Sequence, residues 1–192
     1  SGSEFFMELK KLLMNIKNIS APIENEINSG KNILSLGNLK FITDYKIEKK
    51  LILLDSKKSK LINNEIEYRG QIYLKPFDLD LNIFLKKFNI NKFISKSDTY
   101  KELLYTKIPF NKNLSAKIAF DIEHVVKNKL FDAAKFFLKF DNGEINLNNS
   151  YLVSNKIGKL NVDNSSLKFI EDQLIFKGNF DFQIINDKEF YK

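Results

Sequence analysis

Few residues of this chain have the type and spacing that catalysis needs. His124 is the only histidine, and the chain contains no cysteine. A histidine-based triad would have to be built around His124, and a metal site made of several histidines or cysteines is excluded. The seven glycines form neither a Gly-x-Gly-x-x-Gly nor a Walker motif. We therefore predict no enzyme activity, no cofactor and no metal site.

Two pairs of acidic residues are the remaining catalytic candidates, because two carboxyl groups of unequal pKa can hydrolyse a glycoside. Asp78 and Asp80 stand two residues apart in an alternating run, which predicts that both lie on the polar face of a strand. Asp141 and Glu144 flank an Asn-Gly pair, which is a strong hairpin signal. A carboxylate hydrolase stays open as one hypothesis, and it requires two acids that converge in a polar cleft.

The charge of the chain is positive, but its composition argues against nucleic acid as a partner. The net charge is +7, and Arg69 is the only arginine. Surfaces that read phosphates and bases favour arginine for its bidentate fork, so we predict no nucleic-acid binding. Hydrophobic residues make up 43% of the chain, which excludes wholesale disorder. The chain contains no run of 18 or more apolar residues, so the sequence predicts no membrane-spanning helix.

Alternation of apolar and polar residues dominates the chain from residue 116 to residue 185. A period of two puts successive side chains on opposite faces, so each run predicts a strand with one apolar and one polar face. Residues 32 to 84 follow the same pattern, with Asp55, Ser56 and Gly70 among the predicted turn residues. The sequence predicts a mainly β fold: a long curved antiparallel meander sheet, forming a groove or half-barrel, with about two short helices.

Other segments interrupt this pattern. Residues 1 to 5 resemble a cloning scar, and the helical spacing of apolar residues predicts an amphipathic helix over residues 6 to 20. Thr99 and Glu102 fit a capping box, which predicts a short helix over residues 98 to 107. Residues 124 to 133 are predicted as a loop that leads into a strand. We expect residues 32 to 192 to form a single β-rich groove domain, a fragment of a larger protein.

Five segments of the chain resemble the late part of AsmA-like proteins, a family of bacterial envelope proteins. They are YRGQIYLKPFDLDL at 68–81, NLSAKI at 113–118, NGEINLNNS at 142–150, IGKL at 157–160 and LIFKGNF at 174–180. The likeness covers residues 60 to 192 and consists of glycine turns and alternating apolar residues. The family has no catalytic motif to carry over.

The resemblance implies a long antiparallel β groove of the lipid-transfer type. It further implies phospholipid acyl chains as partners, a role in phospholipid transport or outer-membrane homeostasis, and a periplasmic location. The parent protein would be anchored in the inner membrane through regions outside this chain. Oligomeric state is not predicted.

Alternation also predicts which residues face the apolar side. This candidate lipid-binding lining consists of Ile72, Leu74, Phe77, Leu79, Leu81, Ile118, Phe120, Ile122, Phe136, Leu138, Phe140, Leu160, Val162, Leu167, Phe169, Leu174, Phe176, Phe180, Phe182 and Ile184. The alternative to an open groove is a closed β-sandwich, an interaction or scaffolding module in which the same residues form a dry core and no lipid binds.

Overall fold

The computed structural model describes residues 2–9, 12–20, 28–36, 39–61, 64–89, 91 and 104–190. The chain divides into two compact units, Ser1–Phe84 and Leu85–Lys192, which we call unit 1 and unit 2. The boundary between the units falls inside the range 32 to 192 that the sequence predicted as one domain. The mainly β fold is confirmed, since strands account for most of the described residues of both units.

Unit 1 is an antiparallel meander in which each strand pairs with the next along the chain. Its strands are β1 (Gly2–Leu9), β2 (Leu12–Ser20), β3 (Asn28–Leu36), β4 (Leu39–Glu48), β5 (Leu51–Leu61), β6 (Asn64–Leu74) and β7 (Phe77–Leu85), of which Leu85 belongs to unit 2.

The amphipathic helix predicted over residues 6 to 20 is wrong, because residues 6–9 and 12–20 lie in β1 and β2; residues 10 and 11 lie outside the described residues. These strands form a hairpin whose register runs from Gly2 opposite Ile19 to Leu9 opposite Leu12, and β2 also pairs with β3. The same sequence alternates with a period of two at Phe5, Met7 and Leu9. Pairing within a sheet decided between the two periods, since tertiary context overrides local helical preference. Gly2 to Phe5, the suspected scar, are part of β1.

Two turns predicted in unit 1 lie inside strands instead. Asp55 and Ser56 belong to β5, where a register shift between Ser56 and Ser59 absorbs an extra residue as a β-bulge. Gly70 lies in the middle of β6, opposite Leu81 of β7. A Cβ at position 70 would stand 2.3 Å from the carbonyl oxygen of Asp80, so the close approach of β7 requires glycine there.

Unit 2 is also an antiparallel sheet. Its strands are β8 (Ala116–Ile122), β9 (Ala133–Asp141), β10 (Glu144–Asn146), β11 (Ser150–Ser154), β12 (Gly158–Ile170) and β13 (Gln173–Ile184). β9 pairs with β8 on one side and with both β10 and β11 on the other. These two short strands also pair with β12, and β12 pairs with β13.

Short helical elements accompany the sheet of unit 2. A 3-10 helix spans Ile108–Phe110, and α1 spans Asp187–Phe190. Of the helix predicted over residues 98 to 107, the structure describes residues 104 to 107, of which residues 104 and 105 are helical. The remainder of that prediction lies outside the described residues.

The loop predicted over residues 124 to 133 is confirmed, and it leads into β9 at Ala133. The Val125 amide donates a hydrogen bond to the Asp132 carbonyl at 2.7 Å, which closes the loop on itself. Val125 also forms an isolated parallel bridge with Phe88, and both side chains are buried. Leu85, whose carbonyl accepts a hydrogen bond from the Glu123 amide at 3.0 Å, is buried as well.

Candidate functional site

One face of the unit 2 sheet carries apolar residues from all six strands. Residues directly opposite each other in an antiparallel pair share a face. Phe136 lies opposite Phe120, and Leu138 lies opposite Ile118. Phe140 lies opposite both Ala116 and Ile145, so the same face continues from β8 through β9 to β10.

A β-bulge keeps this face continuous along β12. The register of β12 against β13 shifts between Asp163 and Ser166. Leu160 and Val162 have even numbers while Leu167 and Phe169 have odd numbers, and the extra residue of the bulge brings all four to one side.

Buried Ser165 holds the bulge to the turn before β11. Its hydroxyl accepts a hydrogen bond from the Leu147 amide at 2.7 Å, and its amide donates to the Asn148 side-chain oxygen at 2.7 Å.

The face extends across β13, where all of its residues have even numbers. Phe182 lies opposite Leu160, Phe180 opposite Val162, and Phe176 opposite Leu167. The structure therefore brings together on one face every lining residue that the sequence predicted in this unit. We call this surface the apolar face of unit 2. It comprises Ile118, Phe120, Ile122, Phe136, Leu138, Phe140, Leu160, Val162, Leu167, Phe169, Leu174, Phe176, Phe180, Phe182 and Ile184.

Four further members of this face were missed by the sequence analysis: Ala116, Ala134, Ile145 and Leu152. Ala116, Ala134 and Ile145 are buried. The alternation that selected Ile118 and Phe136 extends by two residues to each alanine, so the signal was present. Leu152 lies opposite both Leu160 and Ala134, in a strand that the sequence analysis did not predict.

Exposure of the apolar face increases toward β13. Most of its residues on β8 to β12 are partly exposed, whereas Phe176 is 42%, Phe180 is 61% and Ile184 is 44% exposed. The Phe176 and Phe180 rings contact each other at a centroid distance of 6.0 Å. Phe176 and Phe180 therefore form a continuous exposed apolar patch on β13.

Two short segments cover the ends of this face. The Phe169 ring receives Phe110 edge-on at 5.0 Å and Tyr105 at 5.7 Å, and both belong to the segment around the 3-10 helix. Phe190 of α1 contacts Phe182 at 5.3 Å. In the described part of unit 2, all strands belong to one sheet, and no second sheet packs on the apolar face.

The opposite side of the unit 2 sheet, its polar face, carries several ion pairs. Lys135 lies 3.2 Å from Asp121, Lys139 lies 3.1 Å from Asp141, and Lys168 lies 3.7 Å from Glu144. Such pairs add little stability at the surface, and their charged groups distinguish this side from the apolar face.

An ion pair also connects the segment around the 3-10 helix to the turn between β12 and β13. Lys107 donates a hydrogen bond to Asp172 at 2.6 Å and lies 5.4 Å from the Phe169 ring centroid. This hydrogen bond, with the charge of Lys107, lowers the pKa of the Asp172 carboxyl below its ordinary value.

The five lining residues predicted in unit 1 also share one face. Ile72 lies opposite Leu79, Leu74 opposite Phe77, and Gly70 opposite Leu81. We call the side that carries them the apolar face of unit 1. It also carries buried Ile66, Tyr68 and Ile83, which the sequence analysis did not include.

Catalytic candidates are scattered over polar positions. His124 is exposed and lies 3.5 Å from Glu123. Asp78 and Asp80 share the face of β7 opposite its apolar residues, as predicted. The Asn-Gly hairpin is confirmed, with Asp141 opposite Glu144. The described residues contain no group of three or more histidine, cysteine or acidic side chains that could hold a metal ion.

Within the described ranges, no helix is long and apolar enough to cross a membrane. No protein-family model, curated protein or solved structure matches this chain.

Proposed function

We propose that this protein binds lipid acyl chains on the apolar face of unit 2. The observation that carries the proposal is the row of exposed apolar side chains on β13, of which Phe180 is 61% exposed. This row continues a face to which five other strands contribute. A folded chain that keeps such a surface open to solvent has a partner of matching chemistry, and acyl chains match it.

The energetics of burial favour this partner. Each methylene moved from water onto an apolar surface gains about 0.8 kcal/mol, so a chain of about fourteen carbons gains on the order of 10 kcal/mol before ordering costs. The residues of this face that are not apolar are small, as with Ser150, Ser154 and Gly158. A lining whose own side chains carry no charge suits an acyl chain that moves along it, and the Lys107 ammonium approaches it only at Phe169 among the described residues.

The proposed context follows from the AsmA-like resemblance of residues 60 to 192. In this account the protein works in the bacterial envelope and contributes to phospholipid transport or outer-membrane homeostasis without catalysis. By the same resemblance, it acts in the periplasm and is held at the inner membrane. The apolar face of unit 1 provides a second surface of the same chemistry, with Leu74 and Phe77 exposed.

A matched pair of variants tests the proposal. Phe180→Asp places a charge on the apolar face of unit 2, whereas Ile170→Asp places one on the polar face at a residue that is 39% exposed. Because a charge cannot be buried under an acyl chain without a large penalty, Phe180→Asp should weaken binding of a fluorescent long-chain fatty acid by about tenfold or more. Ile170→Asp should bind like the parent protein.

Lipid extraction gives an independent readout. Mass spectrometry of organic extracts should find phospholipid or fatty acid in the purified parent and Ile170→Asp proteins, and less in Phe180→Asp. Circular dichroism should find all three folded, since both sites are exposed. Equal binding by the two variants, or a parent protein that binds no fatty acid and carries no lipid, would overturn the proposal and favour a module without a lipid ligand.

A further inference from the structure

β13 lies at an edge of the unit 2 sheet. Among the described residues, β13 pairs only with β12. All residues from 176 to 184 are exposed except Gly178 and Phe182. A strand edge presents a row of amide and carbonyl groups, which is a template for pairing with another strand. With 12 residues and no proline, β13 lacks the shortness and the proline that commonly block such pairing.

The hairpin before β13 determines which of its residues point to this edge. Glu171 and Asp172 form a two-residue turn, with φ of 49° and 62°, between Ile170 and Gln173. The pair that flanks such a turn is hydrogen-bonded, so the odd-numbered residues of β13 bond to β12. The Ile185 amide, which donates to the Ile157 carbonyl at 2.8 Å, continues this pattern. The even-numbered residues therefore direct their backbone groups outward.

We propose that two copies of this chain pair through β13, antiparallel, about a two-fold axis at Asn179. In this register Lys177 of each copy lies opposite Asp181 of the other, so two pairs of opposite charge form on the polar face. Phe176 lies opposite Phe182 on the apolar face. Lys177 and Asp181 are both exposed, and the Asp181 carboxylate accepts a hydrogen bond only from the exposed Gln183 side chain at 3.3 Å among the contacts of the described residues.

Charge selects this register over its neighbours. An axis at Lys177 would oppose two lysines, and an axis at Asp181 would oppose two aspartates, which is destabilising. An axis at Gly178 or Phe180 would leave Lys177 opposite an uncharged residue. The Asn179 axis also makes Lys177 and Asp181 a non-hydrogen-bonded pair, in which side chains approach most closely. The inference depends on the edge and its charges, not on lipid binding, although the pairing would join the apolar faces of two copies side by side.

A cysteine placed on the axis tests the register. The chain has no cysteine, so Asn179→Cys creates a single thiol. In the proposed dimer the two thiols lie directly opposite each other, within disulfide reach, and mild oxidation should give a covalent dimer. Gln183→Cys is the control on the same face. Its two copies would lie eight residues apart along the strands, roughly 27 Å, and should not cross-link.

Reversing the charge of Lys177 or of Asp181 tests whether these two residues hold the dimer together, and the test uses lipid-free protein. Lys177→Asp and Asp181→Lys should each weaken self-association, measured by sedimentation, by about tenfold, because both pairs become like-charged. An equimolar mixture of the two variants should associate again, since opposite charges then face each other. Lys129→Asp, in the loop before β9, should leave association unchanged. A parent protein that stays monomeric at all concentrations, or a mixture that fails to associate, would overturn the proposal whatever its lipid binding.

Discussion

The Ser150 side chain bonds the Phe137 backbone at a position of β9 where neither β10 nor β11 pairs with it. Its hydroxyl accepts a hydrogen bond from the Phe137 amide at 2.9 Å and donates one to the Phe137 carbonyl at 3.4 Å. Ser59 does the same in unit 1, where its hydroxyl accepts from the Ile42 amide at 2.7 Å and donates to the Ile42 carbonyl at 3.4 Å. Both serines are fully buried. Each unit thus uses a serine side chain to satisfy backbone groups where the pairing of strands is interrupted.

Removing either serine hydroxyl should destabilise the protein. Ser150→Ala and Ser59→Ala leave a partly buried amide and carbonyl without their serine partner, so we expect each to lower the free energy of unfolding by about 1 to 3 kcal/mol. Ser35→Ala, on the polar side of β3, should change it by less than about 0.5 kcal/mol. Urea denaturation measures the difference. An Ser150→Ala protein as stable as the parent would mean that these backbone groups find other partners.

Replacing two glycines inside strands with alanine should lower the stability of the protein by unequal amounts. At Gly70 the new Cβ would meet the Asp80 carbonyl oxygen at 2.3 Å, whereas at Gly178 it would meet the end of the Phe176 ring at 2.9 Å. The backbone of a neighbouring strand cannot move aside as a ring can. Gly70→Ala should therefore lower the free energy of unfolding by about 1 to 3 kcal/mol, and Gly178→Ala should lower it less. Thermal unfolding ranks the two. The reverse order would contradict the pairing of β6 with β7.

The turn between β9 and β10 should depend on glycine. Gly143 has φ of 82° and Asn142 has φ of 55°, the left-handed values of a two-residue hairpin. Gly143→Ala should destabilise unit 2 by about 1 to 2 kcal/mol, because a side chain disfavours this conformation. Asn142→Gly, which keeps the turn chemistry, is the control and should be nearly neutral. Chemical denaturation followed by circular dichroism distinguishes the two.

The carboxyl of Asp172 should titrate below its ordinary pKa only while Lys107 is present. Lys107→Met removes the hydrogen bond and the charge that lower this pKa, so the value should rise toward the ordinary one of 3.8. A depressed folded-state pKa means that the pair stabilises the fold above the unfolded pKa, and that this contribution disappears as pH falls through the folded value. Carboxyl carbon NMR measures both proteins. An unchanged pKa in Lys107→Met would contradict the contact.

The partition of residues between faces could be predicted from sequence because a period of two is a local property. Even the change of parity between Val162 and Leu167 was visible, since apolar residues resume at odd numbers after the bulge. The exposure of Phe180 was not predictable in this way. It depends on whether a second layer covers the sheet, and alternation is the same in both cases.

Strand lengths and the N-terminal hairpin could not be predicted for a different reason. Gly70 looked like a turn residue, yet it lies inside the long strand β6, where the backbone of β7 approaches. Ser56 looked like a turn residue because a bulge and a turn use similar residues. Apolar residues in β1 and β2 satisfied helical and strand spacing together, and the pairing of β2 with β3, which connects distant residues, selected the strand.

The most direct test of the central claim is to map where an acyl chain lies. A fatty acid with a photoactivatable diazirine in its tail, irradiated with the protein, should leave adducts that peptide mass spectrometry locates on the apolar face of unit 2, at residues such as Leu138, Phe176 and Phe180. Tyr151 and Lys159, whose side chains meet on the polar face, should remain unlabelled. Adducts spread equally over both faces, or none above background, would contradict the account.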